Sequence, residues 1–87
     1  TSTDTNLASS HATISLFGDV SAPDFPSWIL RHAHKLGVRS AVRFADNCVK
    51  VTATGPDVML EALALGCSLG PATVLVDRVE FELSRSV

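Results

Sequence analysis

The sequence predicts an α+β domain with the element order βαββαβ, and two kinds of periodicity predict it. Apolar and polar residues alternate from Ala12 to Val20, from Cys48 to Thr54 and again around Val79 to Leu83, the two-residue period of half-buried strands. In the two stretches between, apolar residues recur at helical spacing and each stretch closes on glycine, as amphipathic helices do. With 87 residues, 46% of them hydrophobic, and a net charge of −2, the chain can bury one modest core and no second one.

Each element follows from its residues. In the first strand Ala12, Ile14, Leu16, Gly18 and Val20 share one face, while Thr13, Ser15, Phe17 and Asp19 share the other. Ser21-Ala22-Pro23 breaks it, because proline removes a donor from the ladder. Asp24 to Leu36 then sets Phe25, Ile29, Ala33 and Leu36 on one helical stripe, and Gly37 supplies the left-handed stop. Val38 to Phe44 forms the second strand, and Ala45-Asp46-Asn47 is turn chemistry in which Asn47 is expected to take the left-handed backbone of a tight hairpin. In the third strand, Cys48 to Thr54, Val49, Val51 and Ala53 face one side. Pro56 suits a first helical position, and Met59, Leu60, Leu63 and Leu65 carry the second helix to Gly66. Gly70-Pro71 marks the exit, and the last strand runs through Val79, Phe81 and Leu83 with Glu80 and Glu82 outward. Two such halves make a ferredoxin-like split βαβ sandwich, with both helices on one face of a four-stranded antiparallel sheet. The domain is expected over residues 12–84, after a small, polar, disordered segment at residues 1–11 and before a tail at 85–87.

Composition excludes several classes. Seven basic residues against nine acidic ones, without a Lys/Arg cluster, give no phosphate-tracking surface, so no nucleic acid is expected as partner. No apolar run reaches the roughly 20 residues a membrane span needs, and no signal peptide is visible, which predicts no membrane association and a cytoplasmic protein. Cys48 and Cys67 lack metal-ligand spacing and are expected as reduced, packed thiols. His32 and His34 are two apart on a helix and diverge, and His11 lies near the loose N-terminus, so no metal and no cofactor is expected. Ser21, Ser27 and the cysteines have no arranged base.

Short motifs in order carry a more specific likeness. Leu16-Phe17-Gly18-Asp19-Val20, Phe25 and Leu36-Gly37 are followed by Val42-Arg43, Asp46-Asn47-Cys48-Val49, Gly55-Pro56, Leu60-Glu61-Ala62 and Gly70-Pro71 with Val76 and Val79. From Ile14 to Leu83 the chain resembles the acylphosphatases. The resemblance implies a loop after the first strand, Gly-x-Val-Gln-Gly-Val-x-Phe-Arg in that family, whose backbone N–H groups, helix N-terminus and Arg cradle a phosphate. It also implies an Asn on the second strand that orients the attacking water.

Here Val20, Ser21, Ala22, Pro23, Asp24, Phe25 and Pro26 occupy the anion loop, Pro26 stands where the family has Arg, and Phe44 where it has Asn. Pro23 and Pro26 carry no N–H to donate. Asp19 and Asp24 place negative charge near any bound phosphate, which costs on the order of 1–4 kcal/mol at surface-like dielectric values. Asp24 reads either as an ordinary helix cap or as a carboxylate plug in the old anion site. Arg43 should point away from Phe44 on its strand, and Arg31 lies more than a turn into the helix. Trp28, beside the apolar stripe, either packs at the sheet edge or is a contact residue, and Phe44 either fills the former cleft or leaves an apolar depression for a ligand or partner side chain.

Three functions fit. The first is an acylphosphatase-like domain without the activity, kept to bind an unidentified protein or small ligand. The second is an altered acyl-phosphate hydrolase that uses another basic residue. The third is a structural domain that is monomeric or weakly self-associating through a free sheet edge, since the family's last strand is expected to be missing.

Overall fold

The computed structural model describes residues 10–45, 47–72 and 74–85. The expected disorder of residues 1–9 and the last two residues of the expected tail lie outside these. Four strands and two helices follow in the order β1 (Ser10–Asp19), α1 (Phe25–Leu36), β2 (Arg39–Ala45), β3 (Cys48–Gly55), α2 (Asp57–Leu69) and β4 (Leu75–Arg85). The sheet order is β2-β3-β1-β4 with every neighbouring pair antiparallel. This is the split βαβ sandwich that the periodicities predict.

Ala12, Ile14 and Leu16 of β1 oppose Ala53, Val51 and Val49 of β3, so these six side chains share one face. They form a continuous core with Phe25, Ile29 and Ala33 of α1 and Leu60, Leu63 and Cys67 of α2. Nine of these twelve are fully enclosed: Ile14, Leu16, Phe25, Ile29, Val49, Val51, Leu60, Leu63 and Cys67. Burial of each large apolar side chain is worth about 1.5–3 kcal/mol. The opposite face of the sheet carries Thr13, Thr52, Lys50, Arg43 and Glu80 and has no helix over it.

Several boundaries differ from expectation, each for a local reason. β1 begins at Ser10, because Ser10 pairs with both Gly55 and Arg85 and its buried hydroxyl donates to the Asp57 carboxylate. Ser10 and His11 are thus strand rather than loose chain, and Arg85 closes β4 rather than opening a tail. Pro56 is the N-cap of α2 in extended backbone, not its first helical residue. The helix does not stop at Gly66. It runs three residues further, and Gly66 is instead the point of closest helix approach, where a Cβ would lie 2.0 Å from His32 Nε2. The buried stripe of α2 consequently continues from Leu63 to Cys67, and Leu65, one of the apolar residues that carry the helix, is 65% exposed.

The β2–β3 hairpin is tighter than the expected turn, since Ala45 still pairs with Cys48. Among the described residues no non-glycine backbone has positive φ. Asn47 therefore turns the chain without the left-handed conformation. Gly37 does take it, at φ 74°, and caps α1 as its sequence position predicts.

Candidate functional site

The first strand delivers the loop to its place through a break in pairing. β1 and β4 shift register between Phe17 and Gly18, and Gly18 sits at φ 134°, a bulge conformation that suits glycine. A Cβ there would come within 2.4 Å of the Leu75 carbonyl oxygen and 2.7 Å of the Asp77 nitrogen. β4 backbone thus presses on the very start of the loop.

From Gly18 the chain turns in on itself. Val20 N–H donates to the Gly18 carbonyl at 3.0 Å, and Phe25 N–H donates to the Ala22 carbonyl at 3.1 Å. Two further positions, Pro23 and Pro26, have no N–H. Asp24 holds the N-cap position of α1, and its carbonyl accepts both the Trp28 N–H at 3.0 Å and the Ser27 hydroxyl at 3.1 Å. The side chain makes no cap hydrogen bond, so Asp24 caps by its backbone rather than in the ordinary carboxylate manner.

Opposite the loop stands the β2–β3 hairpin. Phe17 pairs with Cys48 and Phe44 pairs with Val49, which brings the hairpin end back beside Gly18. Gly18, Val20, Ser21, Phe44, Asn47 and Cys48 enclose an open depression of about 180 Å³. Phe44 is 57% exposed and forms its wall. The expectation that its ring would be buried in the former cleft is not met: on the edge strand β2 the ring stands largely in solvent at the side of the depression.

No described lining residue is a cation. Arg43 opposes Lys50 while Phe44 opposes Val49, and successive strand residues point to opposite faces. Arg43 thus lies on the uncovered face, as the strand period predicts, and Arg31 belongs to a separate surface of α1. Arg78 stacks over the Phe17 ring at 4.2 Å and reaches Glu80 at 3.4 Å, both of this pair exposed. Such a surface pair adds little to stability.

The structure separates Trp28 from Phe44. Trp28 packs against Phe25 at a ring distance of 6.1 Å and stacks on His32 at 5.5 Å, beside a shallow hollow of about 340 Å³ that it shares with Arg31, His32 and Lys35. It packs against the core and on neighbouring rings of its own helix, and is no part of the depression. Asn47 and Cys48, read from sequence only as turn and packing residues, do line it. The signal that could have found them is the hairpin register, which returns residues 47 and 48 to the level of residue 44.

The two cysteines are free and buried. Burial pushes the Cys67 thiol up to about 12 from 9.0, since a thiolate loses its hydration there. His32 faces Gly66 across the helix contact while His34 is exposed, so the two imidazoles diverge. Among the described residues, no helix is long and apolar enough to cross a membrane.

No family model and no curated protein sequence matches the chain. Solved structures do. An acylphosphatase from Bacillus subtilis superposes with a TM-score of 0.83 at 23% identity, covering 90% of this chain and 88% of that one. An acylphosphatase from Coxiella burnetii gives 0.83 at 20% identity over 98% and 88%. Full-length HypF, in a phosphate- and nucleotide-bound form, gives 0.80 at 16% identity over 90% of this chain and 10% of that larger one. The chain has the acylphosphatase-like ferredoxin fold.

Proposed function

We propose that the domain is a binding module on an acylphosphatase-like scaffold and does not hydrolyse acyl phosphates. The observation that carries this reading is the lining of the loop–hairpin depression: a glycine, a valine, a serine, a phenylalanine, an asparagine and a cysteine, with no cation among them. A phosphoryl group undergoing transfer spreads negative charge over its oxygens, and catalysis rests on fixed donors and cations aimed at that charge. Here two loop N–H groups are spent within the loop and two loop positions are prolines. The depression instead offers an aromatic wall, a hydroxyl and an amide. That set suits a small uncharged group or a partner side chain held by apolar contact and one or two hydrogen bonds.

The test is hydrolysis of benzoyl phosphate by the wild-type domain beside the double variant Pro26→Arg, Phe44→Asn. The expected result is no wild-type turnover and measurable turnover by the variant. Clear wild-type turnover would overturn the reading and point to an altered hydrolase with a cation drawn from elsewhere.

A further inference from the structure

We propose that the uncovered face of the sheet binds a small oxyanion of two or more charges, seated over Ala41 and Thr52. The site shares no residue with the loop–hairpin depression and is independent of it. Strand register assembles it from residues that are scattered in sequence. On this face Arg39, Thr54 and His11 stand in one row across β2, β3 and β1; Ala41, Thr52 and Thr13 form the next row, and Arg43, Lys50 and Ser15 the third. Arg39 and Arg43 are thus about 7 Å to either side of Ala41 along β2, a distance that an extended arginine side chain covers. Ala41 carries only a methyl group, so the middle of this stretch stays low. The result is an open hollow of about 420 Å³ whose lining includes His11, Thr13, Arg39, Ala41, Thr52 and Thr54, with Arg43 and Lys50 in the adjoining row.

The cations here have no acid to answer them. Among the described residues none of Arg39, Arg43 and Lys50 makes an ion pair, and no carboxylate lines the hollow. Arg43 and Lys50 are moreover cross-strand partners, and like charges directly opposite one another destabilise a sheet. The carboxylates of this face belong to β4. Glu80 is held by Arg78, and Glu82 pairs with Thr13, which leaves Glu82 three strands, about 14 Å, from Ala41. That exceeds the screening length of about 10 Å at moderate salt. His11 Nδ1 and Thr54 Oγ1 lie 3.0 Å apart, and either direction of this bond leaves a donor for the hollow. If the hydroxyl donates, the proton of the imidazole is on Nε2; if the ring donates, the Thr54 hydroxyl proton is released.

Such a set of donors and permanent charges selects a ligand that is negative and rich in acceptors. The guanidinium fork matches the paired oxygens of a phosphate or a carboxylate. Two arginines on opposite sides of Ala41 suit a ligand with two anionic groups better than one with a single group. Phosphate esters and polycarboxylates share this chemistry. The cations occupy two strands only and Glu80 and Glu82 border them, so the face suits a small ligand rather than a polyanionic chain. A bound anion would also offset the repulsion between Arg43 and Lys50, so binding should stabilise the fold.

Titration of the whole isotope-labelled chain with pyrophosphate and, separately, with citrate at low ionic strength tests this, read by backbone amide chemical shifts. Saturable shifts centred on Thr13, Ala41 and Thr52 are expected, weakening as salt is added. Tighter binding of pyrophosphate would assign the site to phosphate esters, and tighter binding of citrate to polycarboxylates; both outcomes support it. Arg39→Gln and Arg43→Gln are each expected to weaken binding about tenfold, the worth of one charge-assisted hydrogen bond. Lys50→Gln should weaken it too, while leaving the unfolding temperature of the ligand-free domain unchanged or raised, because it removes a like-charge contact. Lys35→Gln, on α1, should change nothing. No saturable shift up to about 10 mM pyrophosphate or citrate would overturn the proposal. So would shifts centred on Val20 to Phe25, which would put the anion in the loop instead, a loss from Lys35→Gln equal to that from Arg39→Gln, or tighter binding of a short DNA strand than of either small anion.

Discussion

Cys67 shows what a single buried atom does to the pH response of the domain. Its side chain is fully enclosed and its thiol is pushed up to about 12 from 9.0 by desolvation. A thiol whose folded pKa is raised holds its proton in the native state after the unfolded chain has lost it. Its contribution to stability is complete below about pH 9 and is lost as pH rises toward 12, with a slope near 1.4 kcal/mol per unit. Urea denaturation at successive pH values above 9 should show this slope in the wild type and a shallower one in Cys67→Ala. Equal slopes would mean that the thiol does not ionise differently in the two states. The same burial leaves Cys67 unreactive toward alkylating reagents at neutral pH until the domain opens.

Element contacts are governed by glycines that sequence punctuation alone misreads. Gly66 looks like a helix stop, but its missing Cβ makes room for the His32 ring, itself stacked on Trp28. Gly66→Ala gains helix propensity worth about 1 kcal/mol yet forces that ring to move, so the net change should be a loss of about 1–2 kcal/mol. In a His32→Ala background the sign should reverse, and denaturant midpoints of the four proteins in the cycle decide it. Gly18 is the harder case, because its neighbours are the Leu75 and Asp77 backbone atoms of β4. Gly18→Ala should cost at least about 2 kcal/mol, read by the same denaturation, since backbone cannot step aside as a ring can. Strands and helices were legible in the sequence because alternation and the Phe25, Ile29, Ala33 stripe are local patterns. Neither Gly66 nor the Gly18 bulge was, because both depend on atoms more than thirty residues away in the chain. The lining of the depression was half legible for a related reason. Val20, Ser21 and Phe44 could be placed by likeness, whereas Asn47 and Cys48 enter only through hairpin register.

At the scale of the whole molecule, the core cluster and the lining of the candidate site share only Val20. Pro26 is half-buried in the first turn of α1 and Phe44 projects from the edge strand β2; neither belongs to the buried core cluster. The double variant Pro26→Arg, Phe44→Asn should therefore unfold within about 1–2 kcal/mol of the wild type whatever it does to turnover, since neither change opens a void in the core and loss of the first-turn proline costs about 0.4–1 kcal/mol. The exposed Val58, Leu65 and Leu69 of α2 are likewise outside the core. The edge position of Phe44 has a consequence for how such a domain can change over time. On the proposed reading, positions 26 and 44 can change the chemistry of the depression without disturbing the packed core, so what the site binds can drift in a lineage whose architecture does not alter.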